Sequence, residues 1–482
     1  MIYHALLVDV KSNAVNLRRS VVIENQGTPD SAEPVSSGNT VPSDVPAISS
    51  SEPKTTDSAA TTIKETGRTN KKRLLKNTIF LYVLVFSGYF FSFITVPYQT
   101  RVLGAELYGK IGWAMAVMAY FSVFIEFGFL LSATASIAGN RDDKTYVEKV
   151  VGAVTLDKLL LTLLSLAVLA PMAFFWQKMS SDPWFYLLCF LSVSSASFML
   201  DFFYRGIEEM QTITITSVSL RALFTIGIFV FMHRPEDYWM VPALNLGGNL
   251  LATGYVYGHM IFKLGYKLRW PGLGFAWRIL KESTWFFLSR VASTIYTATN
   301  IFLLGFVYPV ASTPIGVYTA ADKLLGVMKQ TMGPISDSLY PYMVRNRDFK
   351  LLKKILLSLM PVVALGCIVV AIIAEPMCSW FFGAQFRDAG KVLRLMMLIL
   401  FITLPVYLLG FPTLSPLGGA KAVNQSVIVA SIFHVFALCV TFVLGYLTIY
   451  SVVLLTFCTE MIILIYRVVA VSKYWKKSKA GM

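Results

Sequence analysis

Charge is scarce in this sequence. Only 14% of its 482 residues are Asp, Glu, Lys or Arg, against about 25% in an ordinary globular chain. So dilute a charge cannot cover the surface of a water-soluble protein of this size, and with 56% hydrophobic residues the chain reads as a polytopic membrane protein. Cysteine is scarce too: four of the five (Cys189, Cys367, Cys439 and Cys458) lie inside apolar runs and Cys378 stands without a sequence neighbour, which excludes a disulfide framework. There is no P-loop, no Gly-x-Ser-x-Gly and no His/Glu metal pattern on a helix. No loop is long enough to form a catalytic domain, so an enzyme, a resident metal and a cofactor are not expected. The opening "MIYHALLVDV" lacks the basic start and long apolar core of a cleaved signal peptide. Membrane targeting then falls to the first span.

What the chain does have is apolar length. After "KKRLLK" (Lys71 to Lys76) about twelve segments approach the length that crosses roughly 30 Å of hydrocarbon. They cover 77–98, 108–133, 150–175, 184–204, 212–232, 238–262, 283–308, 314–343, 352–374, 390–414, 424–447 and 450–471. The expected fold is therefore an all-α polytopic membrane protein. Residues 1–76, rich in Ser, Thr, Pro and acidic groups, have too little apolar surface to offset the entropy of ordering and read as a disordered tail. The net charge of +15 is not a nucleic-acid footprint, because the bases sit in short connections between apolar runs. With the N-terminus inside, the cytoplasmic connections carry about fifteen bases, among them Lys263, Lys267, Arg269, Arg345 and Arg347, and the opposite side about five. Both termini, including the basic tail 472–482, are expected in the cytoplasm.

Two stretches echo each other. "ELYGKIGWA" (Glu106 to Ala114) opens the second span and "TPIGVYTAA" (Thr313 to Ala321) the eighth, with Gly109 and Gly316 in register. Equal places in two halves of six spans fit the parallel repeat of many transporters. The units expected are a bundle over 77–262, a cytoplasmic linker over 263–282 and a bundle over 283–471.

Charges inside the spans are the candidate functional residues, since an ionisable group at membrane depth is functional by default. Arg221 lies about 13 Å into its span, at 1.5 Å per residue, on a polar stripe with Thr214, Ser217 and Thr225. Arg290 shares a face with Ser293, Thr297 and Asn300; Asp322, Lys329 and Ser336 recur at seven, with Lys323 and Gln330 on the adjoining face and a kink expected at Pro334. The competing reading is that these bases form interhelical ion pairs, Asp322 being the first acid to consider for Arg221. Glu126, near the inner end of its span, either pairs structurally or guards the inner mouth. His434 and Glu460, on the last two spans, are candidates for proton exchange, against a packed, satisfied histidine. Arg101 either contacts substrate on release or pairs with Glu106, and Asp201 and Arg205, four apart, read as a local pair. Tyr89, Tyr296, Tyr318 and Tyr340 are candidate sugar-stacking platforms.

The stretches "VPYQTRVLGAELYG" (Val96 to Gly109), "EFGFLLSATASIAGNRDD" (Glu126 to Asp143), "DFFYRGIEEMQTITITSVSLRALFTIGIFVF" (Asp201 to Phe231), "RPEDYWMVPALN" (Arg234 to Asn245) and "STPIGVYTAADKLLGVMKQTMGPISDSLYPYMVR" (Ser312 to Arg345) together resemble the Wzx-type oligosaccharide flippases of the multidrug/oligosaccharidyl-lipid/polysaccharide exporter superfamily. The resemblance implies two six-helix bundles around a central cavity in the bacterial inner membrane, and movement of an undecaprenyl-pyrophosphate-linked repeat unit to the outer leaflet by alternating access. On that reading Arg221, Arg290, Lys323 and Lys329, with Asn300 and Arg101, would meet the pyrophosphate and sugars. Glu126, Asp322, His434 and Glu460 would gate the path or couple it to H+ or Na+. Partners would be membrane lipid, a polysaccharide polymerase and a chain-length protein. The alternatives are a drug or ion antiporter of the same superfamily, a membrane enzyme of polysaccharide assembly, and a nontransporting scaffold. The long Ser/Thr/Pro tail departs from the family's short N-terminus.

Overall fold

The computed structural model describes residues 56–480, with side chains from residue 77 onward apart from 78, 289, 292, 293, 295, 296 and 478–480. Residues 1–55 of the expected tail, and the Ser293 and Tyr296 side chains, lie outside it. Every element is a helix and no strand occurs among the described residues. In chain order they are α1 (Thr56–Glu126), α2 (Phe129–Gly139), α3 (Lys144–Phe175), α4 (Pro183–Ser197), α5 (Asp201–Gly206), α6 (Met210–Phe231) and α7 (Met240–Gly258). The second half holds α8 (Leu273–Val307), α9 (Thr313–Asn346), α10 (Phe349–Phe382), α11 (Ala389–Leu409), α12 (Phe411–Leu414), α13 (Ala420–Val443) and α14 (Ile449–Ala480).

Eight stretches are long and apolar enough to cross a membrane. The first, Ile79–Gly139, has 61 residues, roughly three bilayer thicknesses at 1.5 Å per residue. It is two crossings, because Gly104, at φ 71° and ψ 176°, breaks α1 into two arms. A residue with a Cβ resists that conformation, so glycine turns the chain with no separate loop. The helices α7, α8 and α9 are the polar remainder. Counting them gives twelve crossings among the described residues, in agreement with the expected number. Helix covers 56–76 as well, the stretch read from sequence as tail. Extending a helix that already exists avoids the cost of nucleating one.

The first bundle comprises α1 to α7, with α6 against α1 and α7 against both α4 and α6; in the second, α11 packs on α9, α10 and α14. The end bearing the 176–182, 232–239, 308–312 and 383–388 connections is base-poor and the opposite end base-rich. Toward the base-poor end both bundles share one core, in which Val96, Leu103 and Trp113 pack with Tyr318, Phe382 and Phe386. Toward the base-rich end each has its own: Phe129, Val150, Phe203 and Met260 in one, Tyr340, Phe411, Leu414 and Ala470 in the other.

The segment expected as a linker is not a loose tether. Its second half is the start of α8, and Ala276 and Ile279, one turn apart, are buried in the core of the first bundle. Its first half is buckled to α3: the Lys267 backbone N–H donates to Glu148 Oε1 at 2.8 Å and Arg269 Nε to Oε2 at 2.6 Å. Gly152 makes room for this, since a Cβ there would lie 2.0 Å from the Arg269 carbonyl oxygen.

Candidate functional site

The two glycines matched in sequence meet in space. A Cβ on Gly109 would lie 2.7 Å from the Gly316 nitrogen, and one on Gly316 would lie 1.9 Å from the Ala105 carbonyl oxygen. The backbones of α1 and α9 therefore touch, the approach that small residues allow between membrane helices. Two turns of α1 continue the contact. Gly112 faces Thr319, and Trp113 covers Gly305 and donates from Nε1 to the Phe302 carbonyl at 3.1 Å. At the rim, Gln385 Oε1 accepts from the Ala105 N–H at 3.2 Å, and Arg101 Nη2 donates to the Trp380 carbonyl at 2.5 Å. The Arg101 side chain thus crosses the seam to the second bundle instead of turning back to Glu106.

Among the described residues Arg221, in the first bundle, meets no carboxylate at ion-pair distance. Its Nη1 donates to the Leu84 carbonyl at 2.5 Å and to Ser87 Oγ at 2.6 Å, both on the first arm of α1. Gly88 keeps the seat open, a Cβ there standing 3.3 Å from the guanidinium carbon. Thr214, two turns away on the same stripe, donates to the Phe80 carbonyl at 3.1 Å. The stripe predicted along α6 is therefore how α6 docks on α1. Beside Arg221 lies a cavity of about 260 Å³ lined by Asp201, Ser217, Leu220, Phe224, Asn245 and Asn249 among others. The acid that shares Arg221's surroundings is thus Asp201. Asp322, on α9 of the second bundle, forms no ion pair with Arg221 among the described residues.

The second bundle disposes of its charges differently. Lys329 Nζ is 2.7 Å from Glu460 Oε1, and that pair is largely shielded, with 18% and 6% of the two side chains exposed. His434 is fully buried; its Nδ1 is 2.7 Å from Thr459 Oγ1 and its Nε2 is 2.8 Å from Asn300 Oδ1. Asn300 Nδ2 donates onward to Thr456 Oγ1 at 3.0 Å. Ser336, two turns beyond Lys329 on the same α9 face, is buried and donates to the Tyr407 carbonyl at 3.3 Å. The adjoining face is open: Lys323 and Gln330 are exposed, and Asp322 is half-buried beside Lys323. Among the proposed platforms Tyr318 and Tyr340 are buried, which removes them as surfaces for a sugar, while Tyr89 is half-buried.

Arg290 pairs with Glu126 across the bundles, Nη2 to Oε2 at 3.3 Å, with 53% and 32% of the side chains exposed. Near it Phe127 and Phe287 stack at 4.3 Å between centroids, Ser132 and Ser283 share a 2.6 Å hydrogen bond, and Tyr120 OH meets Thr299 at 2.8 Å. The chain turns here through Phe127 and Gly128, both at positive φ. Sequence reasoning missed four features. Ser87 and the two amides Asn245 and Asn249 look like ordinary small polar residues of apolar spans. The fourth is a clamp at the base-poor end, where Lys110 and Tyr238 both bond Asp182 Oδ2, at 2.6 and 2.5 Å. Burial raises the Asp182 carboxyl, but the Lys110 and Tyr238 hydrogen bonds, the Lys110 charge and the Phe185 N–H outweigh it and hold the group below its usual range. Among the described residues no group of three or more His, Cys, Asp or Glu is placed to hold a metal.

Two bundles of membrane-spanning helices share one core at one end and keep separate cores, bridged by polar and aromatic contacts, at the other. The same fold is found in "Lipid II flippase MurJ, inward closed conformation", at TM-score 0.59 and 15% identity over 81% of this chain and 87% of that one. An inward-facing multidrug resistance MATE family transporter of the MOP superfamily gives TM-score 0.62 at 14% identity, over 80% and 96%. The family model described as "Polysaccharide biosynthesis protein" matches residues 74–347, more than half of the chain. The chain belongs to that family, and its resemblance to the Wzx-type members of the superfamily holds. Two similar curated proteins carry the name "Putative O-antigen transporter". One, from Escherichia coli (strain K12), is 28% identical over 281 residues, 57% of this chain and 65% of that protein, so the matched region spans less than two-thirds of that relative. The other, from Shigella dysenteriae, is 25% identical over 372 residues, 74% of this chain and 90% of that protein.

Proposed function

We propose that this protein flips an undecaprenyl-pyrophosphate-linked oligosaccharide repeat unit from the inner to the outer leaflet of the bacterial inner membrane by alternating access. The observation that carries the reading is the asymmetry of the cores. One core shared at the base-poor end and two separate ones at the base-rich end describe a pair of bundles packed together more completely on one side, with only pairwise contacts on the other. Family membership and the names of the relatives supply the substrate class. The charges fit an anionic head group, because among the described residues Arg221 has no acid at ion-pair distance and Lys323 is exposed, one base from each bundle. Arg290 and Lys329, with Arg101 at the rim and Asn300 in the His434 network, join the path only in a state that releases their present partners. Glu126, Asp322, Glu460 and His434 are the groups through which H+ or Na+ would couple to that exchange.

The test is a strain lacking the gene. Lipid-linked repeats should accumulate on the inner leaflet while surface polysaccharide is lost, and the intact gene should reverse both. Full-length repeats that reach the outer leaflet without the protein would end the proposal. Orientation is checked separately by cysteine labelling of intact cells. Positions 181 and 312 should react and positions 272 and 346 should not, which places both termini and the base-rich end in the cytoplasm. A polymerase and a chain-length protein are the partners that would take the product.

A further inference from the structure

We infer that the cavity beside Arg221 seats one uncharged, hydroxyl-rich sugar ring of the glycan head group, the pyrophosphate lying elsewhere on the path. The inference rests on the flippase reading and deepens it. It comes from the hydrogen-bonding inventory of the cavity wall. Asn245 and Asn249 each spend the amide NH₂ on a backbone carbonyl, Val241 and Ser192 respectively, at 3.0 Å. Because a carbonyl only accepts, the NH₂ of each amide must face it, and what remains to offer a ligand is the Oδ1 acceptor together with the second N–H donor. The Asp201 carboxylate, on the same wall, adds two more acceptors and makes no hydrogen bond or ion pair among the described residues, although it feels the charges of Arg205, Lys158 and Arg221. Ser217 contributes a hydroxyl that makes no hydrogen bond among the described residues. On the donor side, Arg221 has committed Nη1 to Leu84 and Ser87, leaving Nε and Nη2.

An occupant must therefore donate to several acceptors and accept from a guanidinium at once. Hydroxyl groups do both. Phosphate oxygens only accept, and the Asp201 carboxylate would repel them. A cationic drug only donates, and Arg221 opposes it. The lining itself holds one acid and one base, Asp201 and Arg221. Leu220 and Phe224 supply the apolar wall on which the C–H face of a ring can rest. Size agrees: about 260 Å³ exceeds the roughly 150 Å³ that accepts a benzene ring and is too small for a whole repeat unit.

The test measures binding to the purified full-length protein in lipid nanodiscs. The probes are the lipid-linked repeat unit extracted from the producing cells and undecaprenyl diphosphate without sugar. Asn245→Ala and Ser217→Ala should each weaken binding of the sugar-bearing lipid about fivefold, the loss of one hydrogen bond of about 1 kcal/mol, and leave undecaprenyl diphosphate binding unchanged. Ala196→Phe, which fills the cavity from its wall, should bring the two lipids to equal affinity. An unaltered unfolding temperature for each variant guards against a folding defect. Equal weakening of both lipids, or no weakening of the sugar-bearing one, would overturn the assignment of the ring to this cavity while leaving flipping intact. A wild-type protein that binds neither lipid would overturn the flippase reading and the cavity with it.

Discussion

Arg221 and Lys329 are both bases at membrane depth on polar helix stripes, and the two bundles treat them in opposite ways. In the second bundle Lys329 is neutralised by Glu460 at 2.7 Å behind a packed wall. In the first, Arg221 is held by a carbonyl and a hydroxyl, which satisfy its protons without cancelling its charge. The lesson is that an ionic partner and a polar seat serve different ends. A paired charge is withdrawn from the path, whereas a seated one keeps its field and its remaining donors for a ligand.

The comparison breaks most visibly at the pair. Glu460→Ala leaves a buried lysine without its counter-charge and should cost about 3–5 kcal/mol, read as a fall in the amount of folded protein in the membrane. Replacing both partners by methionine should recover most of that amount. Loss of flipping in the double variant at normal abundance would give the pair a transport role in addition to its structural one. Arg221→Ala should do the reverse, with abundance near wild type and flipping lost. Arg221→Lys should retain part of the flux, an ammonium still donating hydrogen bonds but without the planar fork.

The seam comes next. Gly316→Ala places a methyl 1.9 Å from a backbone oxygen, a clash that only separation of α1 and α9 relieves, at about 1–3 kcal/mol. Spin-label distances between the bundles at the base-poor end should lengthen, and flipping should fall. Unchanged distances would show that the glycines are not the closure. Smaller still is the half-exposed Arg290–Glu126 pair, whose removal by a double alanine change should alter stability by less than about 1 kcal/mol. Any large effect on transport would then mark it as a gate.

The smallest effect concerns pH at the base-poor rim. Asp182 is held below its usual range mainly by Lys110 and Tyr238, so it binds fewer protons folded than unfolded. Its contribution is present above the unfolded carboxylate value, about 3.9, and fades as pH falls through the lower folded value. The acid limb of the unfolding curve should therefore soften in Asp182→Asn. An identical acid limb would show that the clamp carries no pH dependence.

Much of this was legible beforehand, and the limits are instructive. Span number followed from apolar length alone, and the match of Gly109 with Gly316 marked equal places in two halves, while their touching came only from the structure. The sugar platforms were read less well. Tyr318 and Tyr340 carry no sign in sequence that they point into a core. Nor could the linker be read, since Ala276 and Ile279 reveal their helical spacing but not the bundle that receives them.

What the chain by itself determined is its solvent and its topology: where the hydrocarbon lies, how often the backbone crosses it, and on which side the bases collect. These are sums over tens of residues, each worth little, so they survive ignorance of any particular contact. Only the tertiary structure decided which charges stay available. Whether Lys329 faces Glu460, or Arg221 the Leu84 carbonyl, depends on a helix rotation of less than one residue step and on a partner more than 130 positions away. Helical periodicity assigns a residue to a face, but a neighbouring helix decides what that face meets.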